Sequence, residues 1–314
     1  MHNSLKSVTS LLAVILYLFT THSIAQGTPE LPGPLVDVDW LTENIGRIVV
    51  LDVRKNTDSF LKEGHIEGAI LVDTGKMRVK RKQGGYELKG MLPDRKTHEN
   101  FISAHGVGTD STVIITHRGD TPGQVAGAAR LYWQMKYYGF DRVALLDGGN
   151  RAWTEALGDL TSDQTAVDPA QFVSGKERGA MLATMQDVQQ ALTDKGAQLV
   201  DTRNLRFHVG LEKRDYVADY GHIPGSRLFP NGFLFPEKGA AVFYPATVIS
   251  QTLEALRIDP DKKLILYCNS AYDCSSVWFA VHELLGKANA RIYDGALNEW
   301  TMDGKHPMTR EISR

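Results

Sequence analysis

Short apolar runs alternate with amphipathic segments along most of the 314-residue chain. Runs of consecutive apolar residues predict buried strands, and segments in which apolar residues return at helical spacing, such as 123–138 and 184–192, predict helices. This alternation predicts an α/β fold, in which helices flank a mainly parallel sheet on both faces. The predicted strands lie at about residues 48–52, 69–72, 113–116 and 143–146, and again at 198–201, 226–229, 264–267 and 290–293.

The two halves of the chain carry the same motifs in the same order. Each half has Asp-x-Arg at a strand end, then Gly-His-Ile-x-Gly, then Asp-Gly-x-x-x-x-Trp; these motifs start at residues 52, 64 and 147 in the first half and 201, 221 and 294 in the second. Such a repeat predicts two copies of one domain. We place them at residues 26–157 and 181–314, and the polar, unpatterned segment 158–180 is the predicted linker.

In the second half, a strand, a short loop and a helix follow one another directly. The apolar run 264–267 ends at Cys268, and helical spacing resumes at Val277. A tight loop of this kind points its N–H groups inward, and the helix adds the positive end of its dipole. At such helix N-termini the pKa of a cysteine falls from about 8.5 to roughly 7 or lower, which favours the thiolate by about 2 kcal/mol. Cys268 is therefore a candidate nucleophile, and the alternative is an inert buried thiol.

The N-terminus is typical of a secretory signal peptide. Lys6 precedes an apolar run, residues 11–19, that is too short to span a bilayer, and the sequence ending in Ala25 fits a cleavage site. We predict that residues 1–25 are removed by cleavage after Ala25; an uncleaved membrane anchor is the alternative.

Charge and cysteine content narrow the function classes. The formal net charge of −2 gives no field that would attract nucleic acid or an anionic membrane. The basic run from Lys76 to Lys82 is interpreted as a solvated loop. With only two cysteines, Cys268 and Cys274, the chain has no general disulfide framework.

Taken together, these motifs resemble those of the tandem-domain rhodaneses, the sulfurtransferase family that includes thiosulfate sulfurtransferase and 3-mercaptopyruvate sulfurtransferase. The resemblance covers nearly the whole chain after the signal peptide. It implies two rhodanese-like domains, each with a mainly parallel five-stranded sheet flanked by helices, of which only the second is catalytic. In the first half, His117 stands where the second has Cys268, and the loop that follows is longer.

The resemblance also implies a reaction. Cys268 would take the outer sulfur of a small anionic donor, thiosulfate or 3-mercaptopyruvate, and pass it through a persulfide to an acceptor such as cyanide, a small thiol or a protein thiol. No metal or organic cofactor is implied. We expect no nucleic-acid partner, no membrane partner after signal cleavage, and an exported, periplasmic protein.

Candidate substrate contacts come from the same resemblance. Arg203 and Arg206 match arginines that hold the anionic donor, and guanidinium groups suit sulfonate or carboxylate. For Arg203, a structural ion pair with Asp201 is an equally open alternative. The loop residues that would cradle the sulfur are Asn269, Ser270, Ala271, Tyr272 and Asp273.

Three positions depart from the family pattern, and the first is Ala271, which stands where the mercaptopyruvate-type loop usually has glycine. Asp273 replaces a threonine in a loop that also lacks the cation typical of thiosulfate-preferring members, so the donor stays open; we expect this carboxylate to cap the helix. Cys274 stands where the family has a small residue, and is either inert or a resolving thiol that attacks the persulfide. It also occupies the position at which a Cys-x5-Arg phosphatase needs arginine, which argues against phosphate ester hydrolysis. A dithiol oxidoreductase or persulfide reductase and a catalytically idle binding module remain as alternatives.

Overall fold

Two parallel sheets form where the sequence places its buried apolar runs. The computed structural model describes residues 28–312, so the predicted signal peptide, residues 1–25, lies outside the described residues. The first domain contains β1 (Leu35–Val36), β2 (Val49–Arg54), β3 (Ile70–Asp73), β4 (Val79–Gln83), β5 (Tyr86–Met91), β6 (Val113–Thr116) and β7 (Val143–Leu146). Five of these strands pair in parallel in the order β1-β7-β6-β2-β3.

The second domain repeats this arrangement. Its strands are β8 (Leu182–Ala183), β9 (Gln198–Asp201), β10 (Arg227–Leu228), β11 (Leu264–Tyr267) and β12 (Ala290–Tyr293), paired in parallel in the order β10-β9-β11-β12-β8. In both sheets the central strand, β6 or β11, has every residue buried. The predicted fold class, two α/β domains with parallel five-stranded sheets, is confirmed.

Helices cover both faces of each sheet. In the first domain they are α1 (Val38–Asn44), α2 (Ser59–Lys62), α3 (Arg95–Ala104), α4 (Pro122–Tyr137) and α5 (Gly149–Leu157). In the second they are α6 (Met185–Asp194), α7 (Leu205–His208), α8 (Ala246–Ala255), α9 (Asp273–Trp278) and α10 (Ala296–Trp300). A π-helical segment, Phe279–Leu284, continues α9, and short 3-10 turns occur at Ile45–Arg47, Gly179–Met181 and Asn231–Leu234. Among residues 28–312, none of these helices is both long and apolar enough to cross a membrane.

Helix α4 joins the two domains. Thr121 and Gln124 form a capping box at its start and Pro122 occupies the first turn, so the sequence fixes where the helix begins. Twelve of its 16 residues are buried, as expected for a helix with apolar residues on all sides. It packs against α9, and one apolar cluster includes residues from both sheets. The helix that follows the predicted catalytic loop, α9, therefore packs against the first domain.

A hairpin formed by β4 and β5 departs from the sequence prediction. The basic run from Lys76 to Lys82 was interpreted as a solvated loop, but its residues form the end of a turn and most of β4. Gly84 and Gly85 connect the strands and both have positive φ, at 56° and 88°, as a type I′ turn requires. The Gly-Gly pair was the signal that could have revealed this hairpin.

The hairpin extends from the first domain onto the second. Gln83 donates to Glu299 at 2.5 Å, and Asn298 donates to the carbonyl of Lys89 at 3.2 Å. At its base, the N–H of Leu92 donates to Asp294 at 2.8 Å. These contacts hold the hairpin beside the carboxyl end of the second sheet.

Candidate active site

Cys268 lies at the carboxyl end of the central strand of the second sheet, where open α/β folds bind ligands. The loop 268–272 turns directly from β11 into α9. Helix α10, which follows the neighbouring strand β12, holds the loop in place, because Leu297 and Asn298 donate their N–H groups to the carbonyls of Cys268 and Asn269 at 3.1 and 3.0 Å. The residue at the apex, Ala271, has φ +51°, a conformation that usually favours glycine.

The loop holds the sulfur among hydrogen-bond donors. The N–H of Tyr272 lies 3.1 Å from Cys268 Sγ. Burial raises the pKa of Cys268, and the carboxylate of Asp273 acts in the same direction. Hydrogen bonds from the Cys274 thiol and from the N–H groups of Cys274 and Ser270 outweigh both, so the pKa lies below its ordinary value. The loop therefore favours the thiolate although only 1% of Cys268 is exposed.

Cys274 acts as a hydrogen-bond donor to Cys268 in this geometry. Its side chain is fully buried, and burial raises its pKa well above the ordinary value; the hydrogen bond to Cys268 acts in the same direction. Because a resolving thiol attacks as thiolate, this environment disfavours attack by Cys274. The protonated thiol instead donates its hydrogen to Cys268. The structure records both cysteines as free.

The first domain supports the loop from below through one buried arginine. Arg130 of α4 has no exposed surface and donates to the carbonyl of Ala271 at 3.2 Å. Its guanidinium also forms a 2.6 Å ion pair with Asp294 of the second domain. Asp294 in turn accepts the N–H of Leu92 at the hairpin base. The Asp294 carboxylate thus binds both α4 and the base of the hairpin, and Arg130 connects it to the loop that follows Cys268.

Cys268 forms part of the wall of a cleft of about 200 Å³ between the domains. Three cations from outside the loop lie around this cleft: Lys55 and Arg78 from the first domain, and Arg214 from the second. Arg78 Nη1 donates to the carbonyl of Ser270 at 3.3 Å, and its guanidinium lies 4.8 Å from the ring centre of Tyr272. The other lining residues are Thr74, Tyr216, Asn269, Ser270, Tyr272 and Asp273.

The two arginines predicted to bind the donor do not line the cleft. Arg203 is buried and forms the structural ion pair with Asp201, at 2.6 Å, that was the alternative to a donor contact. Its guanidinium also donates to the carbonyl of Gly221 at 2.7 Å. It reaches the loop only through a 3.4 Å contact with Asn269. Arg206 pairs with Glu212 at 2.6 Å on the surface, and 64% of its side chain is exposed. The structure therefore assigns Arg203 to a strand-end contact and places Arg206 away from the sulfur.

The predicted loop residues are brought together, with one correction. Asn269, Ser270, Tyr272 and Asp273 line the cleft, and Ala271 is buried beneath it. Asp273, however, does not cap the helix: α9 begins at Asp273 itself, and no side chain forms a capping hydrogen bond there. Burial instead raises the pKa of its carboxyl group, although Arg214, Arg203 and Arg78 oppose this rise.

At the position equivalent to Cys268, the first domain has a histidine. His117 follows the central strand β6 and is buried, and burial lowers its pKa to about 3. Its carbonyl accepts the N–H of Asn150 at 2.7 Å, which reproduces the loop anchor of the second domain. A buried Asp52–Arg54 pair at 2.6 Å likewise matches Asp201–Arg203. The fold is repeated, but a neutral imidazole takes the place of the thiolate.

Sequence analysis missed Lys55, Arg78, Arg130 and Arg214. Lys55 follows the Asp-x-Arg motif of the first half directly, which was a usable signal, whereas the other three lie in no motif of their own. Their importance comes from contacts with residues far away in sequence. Among residues 28–312, no group of three or more His, Cys, Asp or Glu side chains could hold a metal ion.

Comparison with known proteins places these features in a family. The family described as rhodanese-like domain matches residues 37–156 and again 184–303. A putative thiosulfate sulfurtransferase of Haloferax volcanii is 30% identical over 291 residues, covering 85% of this chain and 92% of that protein. Thiosulfate sulfurtransferase of Bos taurus is 30% identical over 289 residues, covering 85% and 91%. The 3-mercaptopyruvate sulfurtransferase of Homo sapiens is 28% identical over 273 residues, covering 86% of each.

Solved structures share the fold at lower identity. The Tum1 protein of Saccharomyces cerevisiae superposes with a TM-score of 0.75 at 19% identity, covering 90% of this chain and 99% of that one. The anaerobic ergothioneine biosynthesis enzyme of Chlorobium limicola gives a TM-score of 0.76 at 21% identity, covering 89% and 71%. At these identities the likeness concerns the fold alone.

Proposed function

Because the chain belongs to the rhodanese family and is a sulfurtransferase, we propose that it transfers a sulfane sulfur from a small anionic donor through a persulfide on Cys268. One observation carries this proposal: the sulfur of Cys268 accepts hydrogen bonds from its own loop at the wall of a cationic cleft. An inert buried cysteine would need neither these donors nor the cleft.

The reaction follows from the chemistry of the thiolate. With thiosulfate, Cys268 attacks the outer sulfur, a new S–S bond forms, and sulfite leaves with the electron pair of the old one. With 3-mercaptopyruvate, the C–S bond breaks, the thiol proton ends on carbon, and pyruvate leaves. The loop N–H groups then hold the negative charge of the outer persulfide sulfur. Attack by cyanide on that sulfur releases thiocyanate and restores the thiolate.

The donor anion would be bound by cations from both domains. Lys55, Arg78 and Arg214 face the cleft, and guanidinium groups suit the oxygens of sulfonate and carboxylate. These residues supply the positive charge that the loop itself lacks. Asp273 reduces the net positive charge of the cleft, and this reduction weakens the attraction for a dianion more than the attraction for a monoanion. On this ground we rank 3-mercaptopyruvate ahead of thiosulfate.

Intact-mass measurement tests the proposal directly. Incubation with 3-mercaptopyruvate, and in a parallel sample with thiosulfate, should add the mass of one sulfur atom to the protein. Cys268→Ala should abolish this addition, whereas Cys274→Ala, the matched control, should retain it. Absence of the adduct with both donors would refute persulfide formation, and a larger steady-state kcat/KM with thiosulfate would reverse the donor order.

The same control tests the dithiol alternative. A persulfide reductase that uses both cysteines would release hydrosulfide from the persulfide and form a Cys268–Cys274 disulfide. The buried, protonated state of Cys274 favours sulfur transfer instead. Transfer to cyanide by Cys274→Ala, slowed only as far as the lost hydrogen bond raises the pKa of Cys268, would agree with this assignment. Loss of hydrosulfide release in that variant, with a disulfide detected in the parent, would contradict it.

We further propose that the protein is exported to the periplasm. The support is the sequence of residues 1–25, in which a short apolar run precedes a small-residue cleavage site. The N-terminal sequence of protein recovered from the periplasmic fraction of cells that express the full chain should begin at Gln26. An intact N-terminus in a cytoplasmic fraction would refute export.

A further inference from the structure

A second, larger compartment opens next to the cleft of Cys268. It measures about 630 Å³ and shares Lys55, Arg214, Tyr272 and Asp273 with the cleft. Its remaining wall comes from the first domain, from the end of β2, from the loop after β6 and from the start of α4. The compartment therefore occupies, in the first domain, the position at the strand ends that the cleft occupies in the second.

The two volumes suit different molecules. Small-molecule sites in proteins measure roughly 300–1,000 Å³. The cleft, at about 200 Å³, lies below that range and suits a donor of a few atoms. The compartment, at about 630 Å³, lies within it and has room for a larger molecule. Because the two share four wall residues, a molecule in the compartment can extend one end toward Cys268.

The charge of the compartment indicates what kind of molecule fits. Arg54 and Arg118 face it but are occupied, Arg54 by Asp52 and Arg118 by Glu63 and Asp120. Lys55 and Arg214 also face it, and within residues 28–312 no carboxylate lies within salt-bridge distance of either. These two cations are available to a ligand. The start of the 16-residue helix α4, at Gly123 and Gln124, adds the positive end of a dipole to the same wall.

We propose that this compartment is the acceptor site and that it binds a small thiol carrying carboxylate groups. This inference rests on the proposed persulfide of Cys268. The acceptor thiolate, whose proton passes to solvent, attacks the outer persulfide sulfur. A new S–S bond forms on the acceptor, the bond between that sulfur and Cys268 breaks, and the Cys268 thiolate is regenerated. The idle first domain thus supplies the binding site for the second substrate.

Gly123 offers a substitution that reaches this compartment alone. It is exposed, and a Cβ at this position would meet no atom within 4 Å. An acidic residue in the first turn of a helix is favourable, so Gly123→Glu should fold normally. Gly46 provides the matched control, because it is also exposed with no atom within 4 Å of its Cβ position, and it precedes β2 at the opposite end of the sheet.

The test measures single-turnover transfer from protein that has first been loaded with sulfur by 3-mercaptopyruvate and freed of donor. Three acceptors are compared: glutathione, which carries two carboxylates; 2-mercaptoethanol, which carries none; and cyanide. Gly123→Glu should lower the second-order rate constant with glutathione by roughly five-fold or more. It should change the rate constants with 2-mercaptoethanol and cyanide less than two-fold, and Gly46→Glu should change none of the three. For the parent, the glutathione rate constant should fall as salt rises.

The outcomes separate this inference from the proposed function. If no persulfide forms before the acceptor is added, the proposed function fails. If the persulfide forms but Gly123→Glu leaves glutathione unaffected, the acceptor site is wrong while the persulfide stands. If the substitution slows both thiols equally, the compartment is not selective for carboxylates and the assigned class of acceptor is overturned.

Discussion

The buried ion pair between Arg130 and Asp294 gives the sharpest test of how the two domains cooperate. Arg130 is completely buried, and only 7% of the Asp294 side chain is exposed. Truncation to Arg130→Met would leave the Asp294 carboxylate buried with one hydrogen bond, from the N–H of Leu92. It would also remove the donor that holds the carbonyl of Ala271. We therefore expect Arg130→Met to lower both the free energy of unfolding and the rate of persulfide formation on Cys268.

The expected size of the effect follows from burial. Removing one partner of a buried ion pair costs about 3–5 kcal/mol, because the remaining charge is left without compensation. We expect the lower part of this range, since Arg130 Nε has no hydrogen-bond partner and the pair is incompletely satisfied. For a protein of this size the melting temperature should fall by on the order of 10 °C. Arg151→Met is the matched control: its side chain is 39% exposed, and its loss should cost about 0.5 kcal/mol or less.

Thermal unfolding and the rate of persulfide formation, measured by intact mass on the same variants, provide the assay. Arg130→Met should lower the melting temperature and slow persulfide formation, and Arg151→Met should do neither. The double variant Arg130→Met/Asp294→Leu should lose less stability than the sum of its two single variants, because it leaves no unpaired charge. Strict additivity of the two single effects would show that the pair is not coupled. Parental stability of Arg130→Met would refute the role of α4 as the support of the loop.

Three further predictions concern single side chains. Because the carboxylate of Asp273 raises the pKa of Cys268, Asp273→Asn should move the pH profile of iodoacetamide alkylation to lower pH; an unchanged or higher midpoint would exclude this coupling. A Cβ on Gly127 would lie 2.4 Å from the phenol oxygen of Tyr272, so Gly127→Ala should destabilise the protein by about 1–3 kcal/mol. The control Gly123→Ala should be neutral or slightly stabilising. Equal melting temperatures for the two variants would contradict this prediction. Burial raises the pKa of Asp147 from 3.8 to about 6, so the free energy of unfolding should fall as pH rises from about 4 to 6 and stay lower above pH 6. Asp147→Asn should therefore raise the melting temperature at pH 8 but not at pH 4. An equal gain at both pH values would refute the linkage.

The repeated architecture could be predicted because its signals are local. The central strands are four-residue apolar runs, and the motifs Asp-x-Arg and Gly-His-Ile-x-Gly recur around strand ends. Cys268 could be singled out as a candidate nucleophile for the same reason, since strand, loop and helix are adjacent in sequence. The edge strands β1 and β8 escaped prediction because each has two residues, too few to show a pattern.

The cations of the site could not be found in this way, because their roles depend on how the domains pack. Arg78 meets Ser270 across 192 positions of sequence, and Arg130 meets Ala271 across 141. Neither contact leaves a local pattern. For Arg203, the sequence left a substrate contact and an ion pair with Asp201 equally open, and the structure shows the ion pair, with Nη1 directed to Asn269 of the loop.

The first domain has no thiol at the position equivalent to Cys268, but the contacts around that position are the same as in the second domain. Its sheet retains the Asp52–Arg54 pair and the loop anchor at His117, so the fold stays the same although a neutral imidazole stands at the position of the nucleophile. What the first domain now supplies is charge and support. Lys55 and Arg78 face the cleft, and Arg130 holds the loop from beneath. The second domain isolated from its partner would therefore keep Cys268 but lose two of the three cations around it, and also the contact of Arg130 with the loop.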